Sequence, residues 1–135
     1  MRVVIDTNVF VSALLSAFGP SAQIVELIAS SDISIVVDDR IVSEYSEVLD
    51  RSGVNLDVWD VEDFLRLGED AEYVTAAPLP FALPDPDDEA FLEVAIAGGV
   101  DALVTGNEKH FKVPGGKLAV LILSPRRFLD VFAGR

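Results

Sequence analysis

The chain has 135 residues, half of them hydrophobic, with 10 Lys and Arg against 23 Asp and Glu, one His and no Cys. That length and apolar content argue for a single domain, 1–135, with a substantial core and against disorder, and the lack of Cys excludes a disulfide framework and a thiolate metal site. A formal net charge of −13 opposes indiscriminate nucleic-acid binding, because phosphates are repelled at long range.

Arg2–Ile5 reads as a short buried strand. It runs into Asp6, Thr7 and Asn8 before the apolar pattern resumes, and Thr7 or Asn8 can cap a helix over Val9–Ala17 that Gly19-Pro20 closes. Pro20 or Ser21 opens a second helix through Ala29. The β-branched run Ile33–Val37 predicts a strand. Asp38 or Asp39 caps a helix to Arg51, ended by Gly53, and Asn55 or Asp57 starts another through Leu67. Glu72–Thr75 is a weak strand, followed by the Pro-rich loop "APLPFALPDPDD". There Asp85 is the natural N-cap and Pro86 takes the first helical position that Pro favours, with the helix running to Ala97 and stopped by Gly98-Gly99. Ala102–Thr105 and Leu118–Leu123 are two more strands, and Pro125–Phe132 a final helix.

Strands that read as continuous apolar runs and alternate with helices predict an α/β fold, a mostly parallel sheet covered on both faces. Such sheets place ligands beyond the carboxyl ends of their strands, where Asp6 lies. The apolar runs fall well short of the roughly 20 residues of a membrane span, and Met1-Arg2 leads into a strand with no cleavage-site pattern. A soluble, cytoplasmic protein is the expectation.

Three carboxylates stand out. A lone buried Asp6 is costly unless compensated; capping is its ordinary alternative. In "RIVSEYSEVLD" the apolar stripe is Ile41, Tyr45, Val48 and Leu49, and at 100° per residue Glu44 borders that face while Glu47 points to water. A boundary glutamate is the ordinary alternative. In "DPDDEAFLEVAIAGG" the stripe is Phe91, Leu92, Ala95 and Ile96, which aims Asp88 inward from the first turn. Capping and the helix dipole account for Asp85, Asp87 and Glu89.

Like charges from three distant segments converge only with a cation, and no Lys or Arg in residues 1–106 accompanies these motifs. A hard divalent cation, Mg²⁺ or Mn²⁺, takes oxygen ligands; one His and no Cys do not make a zinc site. A carboxylate-held Mg²⁺ suits phosphodiester chemistry. The single His110 offers no nucleophile-elbow arrangement, and "PGGK" at 114–117 lacks the spacing of a phosphate-binding loop. A phosphatase of the haloacid-dehalogenase type wants a second Asp two residues after the first, where this chain has Asn8. Trp59 and Phe64 read as core or oligomer contacts. Charge is uneven: residues 1–106 hold 21 acids and 4 bases, whereas residues 107–135 hold 2 acids and 6 bases. The basic tail is the region suited to phosphate, while the acidic body suits a basic protein partner or a salty cytoplasm.

Together "VVIDTNVFVSALL", "IVSEYSEVL" and "DPDDEAFLEVAIAGGVDALVTGNEKHF" resemble the PIN-domain family, and within it the small stand-alone toxins of toxin–antitoxin pairs. The resemblance covers nearly the whole chain. It implies a three-layer α/β/α domain around a mostly parallel five-stranded sheet, Mg²⁺- or Mn²⁺-dependent ribonuclease activity on RNA, a cognate antitoxin and a homodimer. Carried over by position, Asp6, Glu44 and Asp88 are the acidic ligands, with Asp85 as the nearest substitute for Asp88. Thr7 and Asn8 resemble the residues that orient the first Asp, and Thr105 the hydroxyl at the fourth strand's end. Many relatives carry a fourth acid just after that strand. Here Asn107 stands there, a carbonyl ligand without charge, which leaves one or two metals open, as well as a non-catalytic RNA- or protein-binding module. Lys109, His110 and Lys112 are candidates for holding flanking phosphates.

Overall fold

The computed structural model describes residues 1–51, 71–112 and 120–134. Five strands, β1 (Arg2–Ile5), β2 (Ser34–Val37), β3 (Glu72–Tyr73), β4 (Ala102–Val104) and β5 (Leu121–Leu123), form one sheet in the order β3-β2-β1-β4-β5, and every neighbouring pair is parallel. Val3, Val4 and Ile5 are wholly buried, as are Val36, Val37, Leu103 and Val104. Successive side chains point to opposite faces, so burial of consecutive residues means that helices cover both faces. The sheet thins at its margins, where Tyr73 and Leu121 are exposed, as suits short edge strands.

Five helices in the described residues make the layers: α1 (Thr7–Leu15), α2 (Pro20–Ala29), α3 (Asp39–Arg51), α4 (Glu89–Gly98) and α5 (Pro125–Ala133). Helix α4 packs on β1, β2 and β4 and against α3; α5 packs on β4 and β5 and against α2, which in turn packs on α1. No single helix among the described residues is long and apolar enough to cross a membrane. The expected helix through Leu67, with Trp59 and Phe64, and the first residues of the expected strand at 118–123 lie outside the described residues.

Three expectations are corrected. Helix α1 begins at Thr7 and ends at Leu15, with Asp6 rather than Thr7 or Asn8 at its N-cap position. The side chains of Thr7 and Asn8 are engaged elsewhere, and Asp6 makes no capping bond. The segment after Asp85 opens as a 3₁₀ turn, Pro86–Asp88, before α4 proper. The cause is local: the Asp85 carboxylate accepts from the Asp87 N–H at 3.0 Å and the Asp85 carbonyl from the Asp88 N–H at 3.1 Å, an i to i+3 closure that tightens the turn. Finally, the buried stripe of α4 holds Phe91, Leu92 and Ala95 as expected but not Ile96. Ile96 is 44% exposed while Glu93 is buried, because the Glu93 carboxylate takes Arg40 Nη1 at 2.7 Å and the Leu79 N–H at 3.0 Å.

The topology reverses direction at β1. The chain builds outward through β2 and β3 on one side, then returns to add β4 and β5 on the other. A crevice therefore opens beyond the carboxyl ends of β1 and β4, where Asp6 and Thr105 follow their strands directly.

Candidate active site

Asp6 leaves β1 with its own N–H bonded to the Val104 carbonyl at 2.9 Å, which fixes the carboxylate at the strand end. It is 7% exposed. Its Oδ2 accepts from the Thr105 hydroxyl at 2.8 Å and from Asn8 Nδ2 at 3.3 Å. Burial pushes this carboxyl above its usual range, and the Thr105 hydrogen bond opposes the rise. Thr105, fully buried, also accepts from the Asn107 N–H at 3.0 Å, while Asn8 Oδ1 accepts from the Gly106 N–H at 3.0 Å. The loop after β4 is thus hung from the same two side chains that orient Asp6.

Glu44 projects from α3, which Asp38 starts by accepting the Ile41 N–H at 3.0 Å. Its Oε2 accepts from the Thr7 hydroxyl at 2.5 Å. Burial raises its pKa first; the Asp6 charge adds to the rise and the Thr7 bond opposes it. One residue on, Tyr45 is wholly buried and packs edge-on to Phe10 with ring centroids 4.7 Å apart. Its hydroxyl donates to the Ile5 carbonyl, tying α3 to the strand residue that precedes Asp6. Burial holds this phenol well above its usual range, so it remains a donor. Sequence reasoning placed Tyr45 in the apolar stripe and missed this polar role; its position next to Glu44, in a stripe facing β1, was the available signal.

Asp88 ends the 3₁₀ turn. It makes no capping bond to α4, since Asp85 does that work one turn earlier, and its carboxylate is turned inward. His110 Nδ1 lies 3.2 Å from Asp88 Oδ2 but out of line for a hydrogen bond, so this buried oxygen has no hydrogen-bond partner. Burial, then the charges of Asp6 and Asp85, push the Asp88 carboxyl up to about 6, with His110 opposing. His110 sits on a short 3₁₀ helix, Glu108–Phe111, anchored by buried Phe111.

The structure therefore brings together Asp6, Thr7, Asn8, Glu44, Asp88, Thr105 and His110. Asn107 joins through its backbone, its side chain being exposed. Asp85 is spent on its turn, and Lys109 and Lys112 are exposed beside the His110 helix. Among the described residues no three His, Asp or Glu side chains stand close enough to grip a metal ion as arranged. The chemistry of the donor set nevertheless fits a hard cation. All the acids offer oxygen, burial raises all three pKa values with like charge adding to the rise at Glu44 and Asp88, and one oxygen of Asp88 takes no hydrogen bond.

Comparison with known proteins gives three findings. A family model described as the PIN domain matches residues 2–109. The crystal structure of VapBC2 from Rickettsia felis bound to a DNA fragment from their promoter contains a similar chain. The two share 16% identity and a TM-score of 0.55, over 92% of this chain and 98% of that one. Among curated proteins none matches.

Proposed function

The chain belongs to the PIN-domain family, and from that premise we propose that it is a divalent-metal-dependent endoribonuclease acting as the toxin of a toxin–antitoxin pair. The observation that carries the reading is the inward convergence of Asp6 and Asp88, with Glu44 beside them, on the crevice where the parallel sheet changes direction. Asp6, Glu44 and Asp88 would hold Mg²⁺ or Mn²⁺, with the Asn107 carbonyl as a neutral addition. When bound, such an ion supplies Lewis acidity and lowers the pKa of a coordinated water, which suits phosphodiester hydrolysis.

The chain's own residues set the geometry. Thr105 and Asn8 aim Asp6, Thr7 aims Glu44, and Tyr45 fixes the strand end that carries Asp6. Near neutral pH Asp88, at about 6, is mostly ionised and so can serve as a ligand. His110 shields Asp88 from the outer side, and Lys109 and Lys112 hold flanking RNA phosphates at the rim.

The test is cleavage of single-stranded and structured RNA with Mn²⁺ or Mg²⁺, wild type beside Asp6→Asn. Ion-dependent cleavage lost in the variant supports the reading; cleavage retained in both, or unaffected by chelation, removes it. A second reading, a PIN-like module that binds without cutting, draws on Asn107, which brings no charge where relatives carry an acid. RNA binding without turnover at any divalent ion would favour it.

The solved relative is a complex of VapBC2 with promoter DNA, and a cognate antitoxin is proposed here by that likeness and by the net charge of −13, which suits a basic partner. A homodimer and a cytoplasmic location are proposed on the family resemblance. Sedimentation of the isolated chain tests the dimer, and co-purification with the product of a neighbouring reading frame tests the antitoxin.

A further inference from the structure

On the far side of Asn8 from Asp6 lies a second cleft of about 470 Å³, lined by Asn8, Ser21, Gly106, Asn107, Ser124 and Arg126 among others. Four segments build it: the first turns of α1, the start of α2, the loop after β4 and the start of α5. Helix α2 opens after Gly19 with Pro20 at its first position and has no side-chain cap. Pro brings no N–H, so the amides of Ser21 and Ala22 have no intrahelical acceptor and point out of the helix end. Ser21 is 5% exposed, and its residual opening is into this cleft. Among the described residues its hydroxyl has no hydrogen-bond partner. Although the residue is nearly buried, its hydroxyl oxygen is not sealed from solvent, so it stands in the cleft under a bare helix N-terminus as a donor open to an acceptor.

The charge points the same way. Arg127 is paired with Glu108 at 3.0 Å, but Arg126, exposed on the cleft wall, has no ion-pair partner among the described residues. Among the described residues no carboxylate lines the cleft. Free amides, a hydroxyl and a guanidinium, in a protein of net charge −13, form a local anion site. Asn8, Gly106 and Asn107 are shared walls, since they also frame Asp6.

We propose that this cleft binds a non-scissile phosphate of the RNA strand, held by Ser21, the α2 amides and Arg126 while the strand continues into the acidic crevice. This deepens the ribonuclease reading and rests on it. It makes the start of α5, in the basic tail, the positioning element for substrate.

The experiment titrates the full chain with a short single-stranded oligoribonucleotide, using Ca²⁺ as the divalent ion, and follows affinity against salt and the amide NMR signals of residues 21–23 and 126. In the wild type those signals shift. Arg126→Gln weakens binding on the order of tenfold and reduces the slope of log affinity against log salt by about 0.7, the value for one lost phosphate contact on a single strand. Ser21→Ala weakens binding without altering that slope. An unchanged slope and affinity in Arg126→Gln, in a protein that still cleaves RNA, overturns this proposal and leaves the nuclease reading standing. No oligonucleotide binding by the wild type overturns both. Shifts at the same amides with a Glu-rich peptide but not with RNA assign the cleft to a protein partner's carboxylates and overturn it too.

Discussion

Asp6, buried at a strand end, and Asp88, half-buried at a turn end, are treated differently by the fold. Asp6 receives two side-chain donors, whereas an oxygen of Asp88 receives none. Thr105 is the donor with most at stake, because its buried hydroxyl serves Asp6 and the Asn107 amide at once. Thr105→Val keeps the volume and removes the hydroxyl. It should lower divalent-ion affinity by about 10–100-fold, as loss of an orienting partner typically does, with Thr105→Ser restoring most of it in a Mn²⁺ titration. Asp88 yields a prediction about pH. Its carboxyl titrates near 6 in the folded chain against a usual 3.8, so the native state binds more protons than the unfolded one between those values. Stability from that proton is complete below the unfolded value and is lost as pH rises through the folded one. Asp6 and Glu44 shift in the same direction. Metal-free protein should melt at a higher temperature near about pH 5 than near pH 7, and Asp88→Asn should flatten that difference in a calorimetric scan.

At the scale of the element, α3 and the turn into α4 decide how well the acids are held. The Tyr45 hydroxyl bond to Ile5 crosses from α3 to β1 within the core. Tyr45→Phe keeps the contact with Phe10 but strands a buried carbonyl, at a cost of about 1–2 kcal/mol in denaturant unfolding. The same change should weaken ion binding, because Glu44 follows α3. Helix α4 ends on Gly99 in the left-handed region, φ 57°, with open space around the missing Cβ. Gly99→Ala should therefore cost about 1 kcal/mol through backbone strain alone and leave the acidic crevice unchanged. Element boundaries were partly hidden in the sequence for a related reason. Asp85-Pro86 announces a helix start, but the competition between the Asp85 carboxylate and carbonyl for the next two amides, which makes the first turn 3₁₀, is a matter of local geometry. Burial of Glu93 could not be read from α4 at all, because its partner Arg40 lies 53 residues away on α3.

Across the whole molecule, a parallel sheet was accessible because buried parallel strands write themselves as unbroken apolar runs, whereas the order β3-β2-β1-β4-β5, which puts Asp6 at the end of the central strand, was not. Glu44 and Asp88 were legible as inward-facing positions on helices with clear stripes. What the sequence withheld was the joining of segments. Thr7 reaching Glu44, His110 facing Asp88, and Ser21 meeting Arg126 across a cleft all depend on packing between elements far apart in the chain. The central claim is that one crevice gathers Asp6 and Asp88 around a divalent ion, and calorimetric titration of Mn²⁺ into wild type, Asp6→Asn and Asp88→Asn tests it most directly. The account predicts binding in the wild type that is lost in both variants while each keeps its fold by circular dichroism. Binding that survives in either variant, or a folded wild type that takes up no Mn²⁺ even with a short RNA present, would contradict it.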